Sequence, residues 1–453
     1  MKAILLLLVC VMAVGCGSTS SQPKKTTFSH IVIVDQENRT PDNIFGSNPN
    51  FEPGVDIATS GLNSAGQTVP LTPVALANCY DLGHAHIAFT TAYNNGAMNG
   101  SDKVGVSPAP GCTLGPNPQY GYVDNSGGVV QPYFDLATQY GFANRMFQTN
   151  QGPSFPSHQF IISGTSAPTT TSTLFAAENQ QGGSGCTSPP SAYVLLINSA
   201  GDENSQTFPC FDHPTIVDLL EPAGLTWRYY ATPSDSWVWN GPQAILGLCN
   251  PQTVDGVLAC SGNEWANVIP TPASVLTDIQ NCNLANVSWV TPTGQNSDHP
   301  EINTGGGPSW VASIVNAIGT SQCGYWQNTA ILITWDDWGG WYDHVPPPRI
   351  GQSNGWGAGY VYGFRVPLLV VSAYTPAGYV SGANHDFGSI LRFVETTFGL
   401  GLIGPGNWAD SYADDLMDFF PLSSPRSFTS ISSQYDAAHF INDKEPPTDP
   451  DDD

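Results

Sequence analysis

Two apolar runs, each ending abruptly in acidic residues, constrain the fold of this chain more than any other feature. Thr329-Ala-Ile-Leu-Ile-Thr-Trp335 is rich in β-branched residues and reads as a buried strand. It runs directly into Asp336-Asp337, then Trp-Gly-Gly-Trp-Tyr and Asp343-His344-Val-Pro-Pro-Pro348. His30-Ile-Val-Ile-Val34 has the same grammar and is followed by Asp35-Gln36-Glu37-Asn38-Arg39. In an open α/β sheet, ligands bind outside the carboxyl ends of the strands, so both segments deliver oxygen ligands to one rim. Neighbouring acids at a strand end repel each other, and one buried cation between them accounts for the arrangement.

Further strand-like runs occur at 159–162, 225–230, 286–290 and 367–372. Helical patterns lie among them at 214–221, 310–318 and 389–398, the first with Pro214 near its start. This alternation predicts a three-layer α/β/α fold with a mostly parallel central sheet. The glycine-rich passages 94–130 and 165–205 have little periodicity and read as long loop insertions that rim a site.

The chain has 453 residues. Residues 1–16, with Lys2 and a short apolar core, are too short to span a bilayer and read as an export signal. Ala13-Val-Gly-Cys16 resembles a lipoprotein cleavage box, so a lipid on Cys16 is the expected membrane contact. Residues 17–27 read as a tether, 28–440 as a single catalytic domain, and 441–453 as an acidic disordered tail. Eight cysteines follow Cys16 without a C-x-x-C pair, which fits disulfides in an oxidising compartment better than a zinc site. Cys249 and Cys260 are close enough in sequence for a local bridge. Export places the protein in the periplasm, on the cell surface or outside the cell. The net charge of −25 excludes nucleic acid as a partner, because phosphate backbones are repelled.

Gln151-Gly-Pro-Ser154-Phe-Pro-Ser-His158 lies between the two acid-bearing strands in sequence, with prolines and a glycine fixing the backbone around Ser154. Serine is a weak nucleophile until a base or metal lowers its pKa. Glu37, Asn38, Asp336 and Asp337 offer the oxygens to hold such a metal, whereas a lone serine of this kind more often caps a turn. Histidines suit a phosphoester site because they hold phosphate oxygens and protonate leaving groups. His84, His299 and His344 are the candidates, and His213, His299 and His344 each adjoin an aspartate. His84-x-His86 has the spacing of a strand metal pair but lacks a third ligand nearby, which makes it a weak zinc site. Trp335, Trp338, Trp341 and Tyr342 offer surfaces for a hydrophobic leaving group or a sugar.

Taken together, His30 to Gly46, Asp81-Leu-Gly-His84 with Asn94 to Gly100, Gly152 to Pro156, Ser297 to Pro300, Asp336 to Pro348 and Gly363 to Pro367 resemble the bacterial phosphoesterase family. That family contains phospholipases C and acid phosphatases and belongs to the alkaline-phosphatase-like superfamily. The segment His385 to Glu395 resembles its closing helix, so the resemblance runs from about residue 28 to 420. It implies one divalent metal ion held by Glu37, Asn38, Asp336, Asp337 and the Ser154 hydroxyl. Oxygen ligands admit calcium, magnesium or manganese, and a nearby histidine admits zinc. The resemblance further implies that Ser154 forms a phosphoenzyme, with His84, His299 and His344 lining the phosphate pocket.

Ser157-His158 stands where many members have asparagine-arginine, which bears on local packing, and Asp336-Asp337 where many have aspartate-glutamate, which changes only reach. Phospholipase members often carry a threonine nucleophile and C-terminal β-domains. Ser154 and the length of the chain lead to the expectation of an acid-phosphatase-like phosphomonoesterase acting on a small phosphate ester. A phospholipase C that cleaves phospholipid head groups is the alternative, and a catalytically silent surface binding protein the third reading.

Overall fold

The structure, a computed structural model, describes residues 28–183, 185–232, 238–350 and 361–447. The expected export signal, Cys16, the tether and the last six residues of the acidic tail lie outside them. Eight strands form the central sheet. In chain order they are β1 His30–Gln36, β2 Gly141–Ala143, β3 Trp227–Tyr230, β4 Val268–Ile269, β5 Val287–Val290, β6 Thr329–Trp335, β7 Leu368–Ser372 and β8 Tyr379–Ser381. Across the sheet the order is β4-β3-β5-β1-β6-β7-β2-β8.

β1 lies at the centre, parallel to β5 on one side and β6 on the other. All seven residues of β6 and six of seven in β1 are buried, as a strand covered on both faces requires. Gln36 pairs with Trp335, and the Asp336 amide donates to the Gln36 carbonyl at 2.9 Å. The two strands therefore end level, and Glu37-Asn38 emerges beside Asp336-Asp337. Helices Gln131–Gln139, Ser274–Gln280, Gly307–Thr320 and Ala437–Asn442 pack among themselves in one layer. Ser154–Ser163, Phe387–Phe398 and Ala409–Tyr412 pack together in the other, which completes an α/β/α sandwich.

One expectation is corrected. The run at 159–162 is not a strand but the second half of helix Ser154–Ser163. All ten residues of that helix are buried, so no polar stripe marks its period and its apolar end reads like a strand. The strand at 367–372 forms as β7 but runs antiparallel to β6 and to β2. Among the described residues no helix lies between Trp335 and Leu368, and an antiparallel neighbour needs no crossover helix.

The insertions are rich in small sheets: Val106–Pro108 and Gly121–Val123 pair with earlier strands, while Phe175–Ala176, Val194–Ile197 and Ser205–Thr207 form a sheet of their own. Pro446, within the expected tail, packs against the domain through its carbonyl, which accepts from the Gln295 side chain. Disulfides join Cys79–Cys112, Cys186–Cys210, Cys249–Cys260 and Cys282–Cys323, as in an extracytoplasmic protein. The Cys249–Cys260 bridge closes the hairpin of Asn250–Val254 and Val257–Ser261, as its short spacing predicts. No helix among the described residues is long and apolar enough to cross a membrane.

Cys282–Cys323 closes a 41-residue separation around helix Gly307–Thr320 and β5. Replacing both cysteines with serine is expected to cost roughly 2–4 kcal/mol of stability, read as a lower midpoint in denaturant unfolding.

Candidate active site

Ser154 is the first residue of its helix, set by Pro153 in an extended conformation and by a tight approach at Gly152. A β-carbon at Gly152 would stand 1.8 Å from the Ala177 carbonyl oxygen, so only glycine lets the loop pass. The Phe155 amide, in the first turn of the helix where no intrahelical acceptor is available, donates to Asn179 Oδ1 at 2.9 Å. Ser154 Oγ then lies 3.0 Å from Glu37 Oε2 and 3.2 Å from Asp337 Oδ2. Residues separated by 117 and 183 positions thus meet at one hydroxyl.

Asp35, Glu37, Asn38, Asp336 and Asp337 are all buried, at 0 or 1% exposure. Burial and the neighbouring charges raise the Glu37 and Asp336 carboxyls well above the ordinary range. Burial, then the Asp337 charge, does the same to Asp35. Asp337 is raised by burial and drawn back by His84. Neither oxygen of Asp336 has a hydrogen-bond partner, and Asn38 Oδ1 also lacks one. Buried anionic oxygens without donors are costly, and a divalent cation satisfies all of them at once. The donor set therefore fits the metal that the sequence implies. Gly339 makes room for it: at φ +59, its β-carbon would stand 2.2 Å from the Asn38 carbonyl oxygen and 2.6 Å from Oδ1.

His84 Nδ1 is hydrogen-bonded to the Leu82 carbonyl at 2.8 Å, and its Nε2 faces Asn38 Nδ2 at 3.4 Å. His299 Nδ1 likewise bonds the Pro300 carbonyl at 2.9 Å. The two rings stand 6.1 Å apart, and Trp239 packs 5.9 Å from His299. The loop carrying His299 is fixed by Asp298, whose Oδ2 accepts from Tyr133 Oη at 2.8 Å and Trp335 Nε1 at 3.0 Å. Arg39 Nε donates to the Asp298 carbonyl at 2.8 Å.

A profile of the phosphoesterase family matches residues 28–401. The chain belongs to the phosphoesterase family. It is a phosphoric-ester hydrolase. Phospholipase C B of Mycobacterium tuberculosis is 26% identical over 449 residues, covering 88% of this chain and 79% of that protein. A non-hemolytic phospholipase C of Pseudomonas aeruginosa is 24% identical over 327 residues, covering 65% and 43%. Among solved structures, a protein of the alkaline phosphatase superfamily from Vibrio parahaemolyticus superposes with a TM-score of 0.36 at 12% identity, covering 90% of this chain and 73% of that one.

Five expected metal ligands of this phosphoesterase, Glu37, Asn38, Ser154, Asp336 and Asp337, converge, and His84 and His299 stand beside them. His344 does not join them. Its Nδ1 bonds Asp42 Oδ2 at 2.8 Å and its Nε2 bonds Asp56 Oδ1 at 2.9 Å, so both ring nitrogens are already engaged. Arg365 completes this second cluster with paired 2.9 Å bonds to Asp343 and a 3.2 Å contact to Asp42. Asp42, Asp343 and His344 converge closely enough to hold a metal, but the Arg365 guanidinium already supplies the positive charge there.

The proposed His84-x-His86 pair also separates, because His86 turns to Glu203 and to Gln151 Oε1. Trp335, Trp338, Trp341 and Tyr342 are buried rather than offered to a ligand; Trp341 lies under Arg39, 4.8 Å from its guanidinium carbon.

His158 and Asp35 are the residues that sequence reasoning missed. His158 follows Ser154 by one helical turn, and its Nε2 lies 2.9 Å from Glu37 Oε1. Its Nδ1 lies 3.2 Å from Asp35 Oδ2. The four-residue spacing was visible in the sequence, but it carries meaning only once 154–163 is read as helix.

Burial lowers the His344 pKa, yet the Asp42 hydrogen bond and charge, with Asp343, raise it to about 9. A group raised on folding contributes stability below its unfolded value of 6.5, and that contribution disappears as pH rises through about 9. The wild type is therefore expected to exceed His344→Ala in melting temperature most at pH 6, with the gap closing by pH 10.

Proposed function

We propose that the chain hydrolyses phosphoric monoesters through a phosphoseryl intermediate on Ser154. The observation that carries this reading is the Ser154 hydroxyl set between two buried carboxylates, 3.0 Å from Glu37 and 3.2 Å from Asp337. A divalent cation held by Glu37, Asn38, Asp336, Asp337 and Ser154 supplies, when bound, positive charge that acidifies the serine and polarises the phosphoryl group. The Ser154 proton passes to a carboxylate oxygen of Glu37 or Asp337. Oγ attacks phosphorus as the ester P–O bond breaks, and His84 or His299 donates a proton to the departing alkoxide. Water then attacks the phosphoserine, and phosphate leaves as Ser154 recovers its proton.

A monoester presents three non-bridging phosphoryl oxygens, and the site presents three poles: the carboxylate cage, His84 and His299, whose rings stand 6.1 Å apart. A diester presents only two. A second reading, cleavage of phospholipid head groups, is favoured by relatives named phospholipase C that align over 88 and 89% of the chain.

Ser154→Ala is expected to lose at least about 10³-fold in aryl phosphate turnover, and acid quench of the wild type should trap one labelled phosphate on Ser154. Unchanged turnover in that variant would remove Ser154 from the nucleophile's role. Release of phosphate from small monoesters is expected to outpace phosphocholine release from phosphatidylcholine; the reverse order assigns the lipid reading.

A further inference from the structure

We propose that His158 is a nitrogen ligand of the cation at the Ser154 site, and that the chain therefore selects zinc over calcium or magnesium. The inference rests on the proposed function's reading that Glu37 and Asp336 hold a divalent cation. Helix Ser154–Ser163 brings the histidine to that place: one turn beyond the nucleophile, it is buried at 0% exposure beside the same carboxylates. Its Nε2 lies 2.9 Å from Glu37 Oε1 and 3.9 Å from Asp336 Oδ2. Ligand atoms of the three residues all lie within 4.8 Å of one another. Two neighbouring ligands on an ion with bonds of about 2.1 Å stand roughly 3 Å apart, so the spacing is that of a shared ion.

The far side of the ring agrees. Nδ1 lies 3.2 Å from Asp35 Oδ2, with the Tyr229 hydroxyl 3.5 Å away. Both Asp35 oxygens lack a hydrogen-bond partner and one of them stands at donor distance from Nδ1, so we place the ring N–H on Nδ1. A histidine that ligates a metal commonly donates its other N–H to a carboxylate in this way. That tautomer leaves the Nε2 lone pair facing a carboxylate oxygen at 2.9 Å, two acceptors side by side among buried residues. A cation between them resolves the conflict. Calcium and magnesium favour cages made wholly of oxygen, whereas imidazole nitrogen moves the preference toward zinc.

The test uses the whole purified chain, stripped with a chelator and reloaded. X-ray absorption of the zinc-loaded protein should show scattering from one imidazole, and competition with a chromophoric chelator should show zinc bound more tightly than calcium. His158→Gln is expected to lose the imidazole signal and at least about tenfold in zinc affinity while holding calcium, and Asp35→Asn, which removes no ligand, about tenfold in zinc affinity. A zinc-loaded spectrum without imidazole, or a His158→Gln protein with unchanged metal preference, overturns the proposal. If His158→Gln does not fold, as judged by circular dichroism, the wild-type spectrum decides alone. A zinc-loaded wild type that shows no imidazole scattering yet still traps the Ser154 phosphoenzyme would sink this inference and leave the proposed function standing.

Discussion

Four carboxylates buried together are the constraint around which this structure is organised. Asp35, Glu37, Asp336 and Asp337 are each essentially unexposed, and their mutual repulsion works against folding unless positive charge enters among them. Everything nearby serves that convergence. The register that ends β1 and β6 at the same level brings the pairs side by side. Gly339 permits the backbone to close over Asn38, and the buried helix of Ser154 presents its first turn to the same oxygens. A hydroxyl placed there meets whatever cation the carboxylates hold.

The second cluster shows what a balanced version of the same problem looks like. Asp42 and Asp343 are also buried beside the β1 and β6 loops, yet Arg365 and His344 supply the opposing charges within the protein itself. The Arg365 fork bonds both oxygens of Asp343, a geometry that a lysine cannot reproduce. The two clusters therefore divide the labour: one ties together the loops that follow β1 and β6, and the other leaves carboxylate oxygens without hydrogen-bond partners.

The elements legible in the sequence were those whose signal is local. β1, β5 and β6 announced themselves by β-branched runs, β3 by its aromatic residues, and the helices at 310–318 and 389–398 by their periodic apolar faces. The run at 159–162 misled because its helix is buried on every side, which erases the period that separates helix from strand. The aromatic residues at 335–342 misled in another way: they follow the acids in sequence but turn into the core, where Trp335 bonds Asp298. Nothing in a linear pattern distinguishes an aromatic ring that faces ligand from one that holds up the wall behind it.

The amino-acid sequence alone determined the acids at the carboxyl ends of two central strands, the rigid block around Ser154, the short Cys249–Cys260 bridge and membership of the phosphoesterase family. Those features depend on residues near one another in the chain or on motifs in a fixed order. Tertiary structure decided which histidines stand at the site. His158 enters because helix geometry carries it one turn beyond Ser154, and His344 leaves because Asp42 and Asp56, from distant segments, engage both its nitrogens. A side chain's partners across space, unlike its neighbours along the chain, are fixed only when the whole fold closes.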